Sequence, residues 1–270
     1  MTDAGQPVQV YRYGPGGWET QEMGVISETP VSLTVNGQVW LTFLCTPTLL
    51  EELAVGFLFT EDLIHSIEDV ADVRVCEHGG NVDVWLRREV KKPEQWRRTS
   101  GCTGGLTQAE PAPPLFTARH SPKISTGMIL TCMDQLLQAQ ELYRVMRGVH
   151  CSGLSDGETL HLHAEDIGRH NTLDKLAGLY LMRQPVLERK IIVTTGRISS
   201  EMLHKSARLG ASTVVSRTAP SLLSVELARE TGITLVGYAR RNQFNVYTHP
   251  ERLVEDGVPA VLPSVYQAAD

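Results

Sequence analysis

The 270-residue sequence has no apolar run near the roughly 18 residues that a membrane-spanning helix needs, no signal-peptide pattern and no CxxC pair. Its five cysteines, at positions 45, 76, 102, 132 and 151, are scattered and odd in number, so they read as thiols of a reducing cytoplasm. Positive charge is in deficit: 25 lysines and arginines against 31 acids leave a net charge of −6, which argues against a general nucleic-acid binder. Neither GxGxxG nor a P-loop is present, so ordinary dinucleotide or ATP use is not expected. His163-Ala164-Glu165 matches the first half of the zinc deaminase signature, but no PCxxC follows and no HExxH occurs, so no bound zinc is expected. Internal repeats and low-complexity tracts are also absent. What remains, 41% hydrophobic and 21% charged residues, is the composition of a soluble globular chain of one or two domains.

Residues 1–30 mix glycine, proline and polar residues and read as a lead-in or edge strand expected to pack on the C-terminal domain. VSLTVNGQVWLTF then alternates around Asn36-Gly37, a strong hairpin signal, with Val31, Leu33 and Val35 facing one way and Val39, Leu41 and Phe43 pairing with them. Thr48 and Glu51 form a candidate capping box ahead of a helix carrying Leu50, Leu53, Ala54, Phe57 and Leu58. A second hairpin is expected at Gly79-Gly80. Six bases then crowd residues 87–98, and a Gly- and Pro-rich stretch places a boundary near Pro111–Pro114. The resulting division is a small α+β domain over 31–113 and an α/β domain over 114–270.

In the second domain the spacing predicts a helix over 126–146 with Ile129, Met133, Leu136, Leu137 and Tyr143 on one side, and another over 172–182. After Pro185, strands at 191–193, 213–215 and 233–238 alternate with helices that open at Ser199 and at Pro220-Ser221 and stop at Gly210 and Gly232. Units this short imply parallel strands buried on both faces. In such sheets ligands sit outside the carboxyl ends of the strands. Those ends carry TTGRISS, SRTAPS and YARRNQ, placing Arg197, Arg217, Arg240 and Arg241 at three successive ends. Guanidinium forks beside helix N-termini favour phosphate or carboxylate, so an anionic, nucleotide-like ligand is expected. EDIGRHNTLDKLAG gathers Asp166, Arg169, His170 and Asn171 at a helix start. Asn171 there could act as a cap, whereas the Arg169-His170 pair beside Asp166 points to a functional role.

Cys45, Cys76 and Cys132 lie in apolar strand or helix patterns and read as small buried hydrophobes. Cys102 differs. It lies in Gly101-Cys102-Thr103-Gly104-Gly105, too poor in apolar residues to bury it, just after Arg97-Arg98. Nearby cations raise the thiolate fraction, and a thiolate can take up sulfur as a persulfide. Cys151, after His150, is the runner-up, although neighbours in a strand point to opposite faces.

The motifs CTPTLLEELAVGFLFTEDLI, TSGC, EDIGRHNTLDKLAG, TTGRISS…VGYAR and FNVYTHPERL together make the chain, from about Val31 to Leu253, resemble the FdhD family of formate dehydrogenase accessory sulfurtransferases. The resemblance implies a cytidine-deaminase-like, three-layer α/β domain with a mixed sheet and no zinc, accompanied by a smaller α+β N-terminal domain. It also implies a homodimer. Members take sulfur from a cysteine desulfurase as a persulfide and pass it to the molybdenum bis-molybdopterin guanine dinucleotide cofactor of formate dehydrogenase. The sulfur-carrying cysteine falls on Cys102. The cofactor-binding segment falls on Tyr238, Ala239, Arg240, Arg241, Asn242 and Gln243, with Phe244 and Asn245 adjoining, and Arg197, Arg217, Arg169 and His170 complete the expected set. Many members have a second cysteine three residues after the first. Here that position is Gly105, which rules out a CxxC disulfide in the loop. The alternative from another class is a cofactor-binding chaperone that carries no sulfur covalently.

Overall fold

The fold is given by a computed structural model that describes residues 4–94, 96–98, 106–108, 118, 122–255 and 258–259. Along the chain these form β1 (Gly5–Gly14), β2 (Gly17–Ile26), β3 (Thr29–Val35), β4 (Gln38–Cys45), α1 (Leu50–Thr60), β5 (Val70–Val75), β6 (Asn81–Leu86), β7 (Trp96–Arg98) and β8 (Leu106–Gln108). There follow β9 (Ile124–Ser125), α2 (Thr126–Ala139), α3 (Leu142–Met146), β10 (His150–Ser155), β11 (Leu160–Asp166), α4 (Arg169–Arg183), β12 (Ile191–Thr194) and α5 (Ser200–Arg208). The chain continues through β13 (Thr213–Ser216), α6 (Leu222–Thr231), β14 (Thr234–Arg240), β15 (Gln243–Val246), β16 (Leu253–Glu255) and β17 (Val258–Pro259). The class is mixed α/β. No helix among the described residues is long and apolar enough to cross a membrane.

Two compact units result, one of residues 1–112, 139–152 and 164–184, the other of residues 113–138, 153–163 and 185–270. This division differs from the single cut read in the sequence, and the packing says why. Helix α4 meets α1 through two glycines. A Cβ on Gly56 would run into the Asp174 carbonyl, and a Cβ on Gly178 would run into the backbone of Glu52. The two helices therefore touch backbone to backbone, which ties residues 164–184 to the N-terminal part of the chain. Helix α3 is held in the same way. Met146 fills the space beside Gly5 and Gly24 of the β1–β2 hairpin, so the lead-in is an antiparallel hairpin of two ten-residue strands in the first unit.

The first unit's larger sheet has the order β4-β3-β6-β5. Asn36 and Gly37 turn β3 into β4 with φ of 49° and 78°, the left-handed pair that makes this dipeptide a hairpin signal. A bulge between Leu33 and Thr34 shifts the register, so Leu41 still pairs with Leu33 but Val39 pairs with Thr34. Val39 consequently turns outward, 58% exposed, and Trp40 takes its place in the core. The expected capping box before α1 does not form. Leu49 occupies the cap in a left-handed conformation with no side-chain bond, and the Thr48 hydroxyl instead accepts from the Lys175 ammonium at 3.4 Å.

The second unit's sheet runs β11-β10-β12-β13-β14-β15; β10 and β11 are the strands in which the chain passes between units. β12, β13 and β14 are parallel and β15 is antiparallel. All four residues of β12 and of β13 are buried, as strands covered on both faces must be. Ser199 and Ser221 cap α5 and α6, accepting from the Met202 and Ser224 N–H groups, and Gly232 closes α6 at φ 72°.

The helix expected over 126–146 breaks in two. Glu165, buried at the end of β11, accepts from the backbone N–H groups of Glu141, Leu142 and Tyr143 at 2.8–2.9 Å. Those donors open α3, and a carboxylate at a helix start is favoured by the positive end of the helix dipole.

Replacing Gly178 or Gly56 with alanine forces α1 and α4 apart. We expect each variant to lose about 1–3 kcal/mol or more, the usual cost of overpacking, read as a lower urea midpoint. An unchanged midpoint would show that the helix contact yields without cost.

Candidate anion-binding site

Three successive strand ends of the second unit are laced together before any ligand is considered. After β12, the Thr194 hydroxyl accepts from the Gly196 N–H, and the Gly196 carbonyl accepts from the Ser216 hydroxyl at 2.7 Å. Arg217 N–H donates to the Thr194 carbonyl, and Ser221 N–H to the Ile198 carbonyl, so the loops after β12 and β13 run side by side. Tyr238 N–H then donates to the Thr218 carbonyl at 3.0 Å, joining β14 to the row. The serine and threonine hydroxyls of TTGRISS and SRTAPS are thus largely spent on backbone groups, fixing the loops that carry the arginines.

At the edge of this row lies a cleft of about 600 Å³ walled by Leu137, Arg217, Ala239, Arg240, Arg241, Asn242 and Gln243. Arg240 Nε donates to the Arg217 carbonyl at 3.3 Å, which ties its guanidinium to the backbone of the neighbouring strand end. None of the walls is acidic. Among the described residues no ion pair neutralises Arg217, Arg240 or Arg241. Three arginines lining one cleft without a counter-charge among its walls suit a multiply charged anion such as a diphosphate.

The expected site residues divide as follows. Arg217, Ala239, Arg240, Arg241, Asn242 and Gln243 share the cleft, and Leu137 of α2 is a wall that sequence reading missed, having been assigned to the helix's core face. Arg197 is exposed on its loop but is not a wall. Tyr238, Phe244 and Asn245 adjoin the cleft in sequence without lining it. Arg169 and His170 belong to the first unit, buried in the opening turn of α4.

That turn is organised by Asp166. Its Oδ1 accepts from Gly168 N–H at 2.8 Å and Asn171 Nδ2 at 2.9 Å; its Oδ2 accepts from Thr46 N–H at 3.1 Å and takes the Lys175 ammonium at 2.6 Å. Lys175, wholly buried, also donates to the Thr46 carbonyl at 2.9 Å and reaches the Glu165 carbonyl at 3.4 Å. Asn171 is therefore no helix cap. It lies inside α4 and bridges Asp166 to the Leu44 carbonyl. Much of the EDIGRHN motif is accounted for by this scaffold.

Of the four cysteines among the described residues, three are buried: Cys45, Cys132 and Cys151. Burial pushes the Cys45 thiol up to about 12, the Asp166 carboxylate adding to the effect and Lys175 opposing it. Burial likewise raises Cys132 and Cys151, with Glu165 adding at Cys151. The runner-up thiol is thus silenced. Cys76 is a correction in the other direction: it sits just past β5 in the turn to β6 and is exposed. Cys102 and Gly105 lie outside the described residues.

The class these features define is a mixed α/β protein with an open sheet and an arginine-walled cleft at the carboxyl ends of its parallel strands, the place where such sheets hold ligands. The chain matches the FdhD/NarQ family over residues 26–254 and belongs to it. It is 35% identical over 257 residues to the sulfur carrier protein FdhD of Staphylococcus aureus strain MRSA252, covering 93% of this chain and 96% of that one. It is 34% identical, with the same coverage, to the protein of that name from strain Newman. Among solved structures, a protein from Desulfotalea psychrophila assigned as a formate dehydrogenase accessory protein superposes with a TM-score of 0.75. The two share 28% identity, over 93% of this chain and all of that one.

Replacing Lys175 with alanine would leave Asp166 buried without its counter-charge. We expect a loss of about 3–5 kcal/mol, measured by chemical denaturation, and partial recovery in the Asp166→Asn/Lys175→Met double variant. A single variant as stable as the parent would refute the scaffold role.

Proposed function

We propose that this protein is a sulfur carrier that serves formate dehydrogenase maturation, loading sulfur on Cys102 and delivering it to a molybdenum cofactor bearing guanine dinucleotides. The observation that carries the cofactor half is the cleft of Arg217, Arg240 and Arg241, three guanidiniums with no acid among the walls. The sulfur half is supported by the name of the Staphylococcus aureus relatives and by the TSGC motif ending at Cys102.

In the loading step the Cys102 thiolate attacks the outer sulfur of the desulfurase persulfide. A sulfur–sulfur bond forms at Cys102, the bond inside the donor persulfide breaks, and the donor cysteine leaves as thiolate. The glycines around Cys102 suit a segment that must reach a donor and then a cargo. Arg217, Arg240 and Arg241 hold the cargo's phosphates, and Arg197, exposed nearby, adds positive charge to its approach. Tyr238, Ala239, Asn242, Gln243, Phe244 and Asn245 shape the segment around them. Arg169 and His170 serve from the first unit, positioning the thiol segment or a proton. The proposal extends to a homodimer acting in the cytoplasm, with a cytidine-deaminase-like second domain, in keeping with the parallel β12, β13 and β14 strands and their helices.

The second reading, a cofactor chaperone without covalent sulfur transfer, is favoured by one feature: Gly105 stands three residues after Cys102, where the family resemblance implies a second cysteine. Intact-mass measurement after incubation with a cysteine desulfurase and cysteine separates the two. Sulfur transfer gives a one-sulfur adduct that disappears in Cys102→Ser, while guanosine diphosphate binding persists. No adduct on the parent protein, or full formate dehydrogenase activation by Cys102→Ser, would overturn the carrier assignment.

A further inference from the structure

The hairpin that builds the cleft violates the alternation of a regular strand. Residues Ala239 through Gln243 all line one cavity, whereas consecutive residues of an extended strand point to opposite faces. Two backbone features resolve this. The β14–β15 register shifts between Gly237 and Arg240, leaving Tyr238 and Ala239 as bulge residues, and Tyr238 has φ 54°. Arg240 then pairs with Gln243 across a two-residue turn that starts at Arg241 with φ 50°, where such turns favour glycine. Left-handed backbone is disfavoured for residues with a Cβ, more so for tyrosine and arginine than for asparagine or glycine. Strain of this kind persists where surrounding structure fixes it.

The fixing contacts are on one side of the bulge. Tyr238 N–H is bonded to the Thr218 carbonyl. Gly237 is pressed so closely on this segment that a Cβ there would lie 2.9 Å from the Thr218 carbonyl oxygen and 2.9 Å from the Tyr247 ring. Tyr238 itself is 41% exposed and is not a wall of the cleft. Its side chain is therefore not what the cleft uses.

We infer that Tyr238 is a positioning residue whose left-handed backbone at the bulge turns Arg240 and Arg241 together into the cleft beside Arg217. This deepens, and rests on, the reading of that cleft as the site for the phosphates of a guanine dinucleotide. It separates the role of position 238 from that of its neighbours: what matters there is the backbone conformation, and what matters at 240 and 241 is charge.

The test is guanosine diphosphate binding by the full-length protein, measured by calorimetry alongside thermal unfolding, in Tyr238→Gly, Tyr238→Ala and Tyr238→Val. Glycine enters the left-handed region freely, alanine with difficulty, and a β-branched residue least of all. Affinity should follow the order Gly, Ala, Val, with the valine variant weaker than the glycine variant by about tenfold while the unfolding midpoints of the two remain close. If Val does not fold, the comparison of Gly with Ala decides, and the order must still hold. Equal affinities across the set would overturn the inference, as would a glycine variant as weak as the valine one, since the ring would then be the contributor. A parent protein that does not bind guanosine diphosphate at all would instead overturn the cofactor reading of the cleft, and this inference with it.

Discussion

One buried carboxylate organises the first unit. Asp166 sits where β11 hands over to α4, and its two oxygens take four donors from three stretches of chain: the segment after β4, the turn before α4 and the first two turns of that helix. With Lys175 it forms an ion pair that excludes water completely. Such a pair is weak as a source of net stability but strong as a constraint, because neither partner can move without leaving the other charged and unsolvated. The same carboxylate opposes ionisation of Cys45, one residue before Thr46. Burial is the main reason that thiol is silent, and the scaffold's carboxylate adds to it while Lys175 opposes it.

The second unit solves a different problem, which is to gather positive charge without neutralising it. Hydroxyls and backbone groups of the strand-end loops satisfy one another, so no acid is needed to hold them. Arg217, Arg240 and Arg241 line their cleft with no acid among its walls. The backbone strain at Tyr238 and Arg241 is the cost of placing adjacent residues on the same side of a hairpin.

The regular features were legible in the sequence because they depend on local chemistry. Asn36-Gly37, the serine caps at 199 and 221 and Gly232 each specify a backbone conformation through their own side chains or the lack of one. The rule that ligands bind at strand ends likewise brought out Arg217, Arg240 and Arg241. What escaped was set by distant partners. Nothing near Gln140 announces that Glu165 will interrupt the helix, and Lys175 looks like a solvated helix residue until Asp166 and Thr46 close around it. The apparent capping signal at Thr48 lost to the same ammonium, and Cys76 fell one residue beyond the strand that would have buried it. Leu137 escaped for a further reason, since helical spacing gives a face but not what that face borders.

Burial withdraws Cys45, Cys132 and Cys151 from thiolate chemistry, in keeping with the proposed assignment of sulfur transfer to Cys102. A thiol whose pKa is near 12, as at Cys45, is ionised in only about one molecule in 10⁴ at pH 8. The direct measurement is the alkylation rate of each cysteine in the native protein, resolved by peptide mapping. Cys102 is expected to react first, ahead of the exposed Cys76, and the three buried thiols only after denaturation. Alkylation of Cys45, Cys132 or Cys151 as fast as that of Cys102 in the folded protein would contradict it.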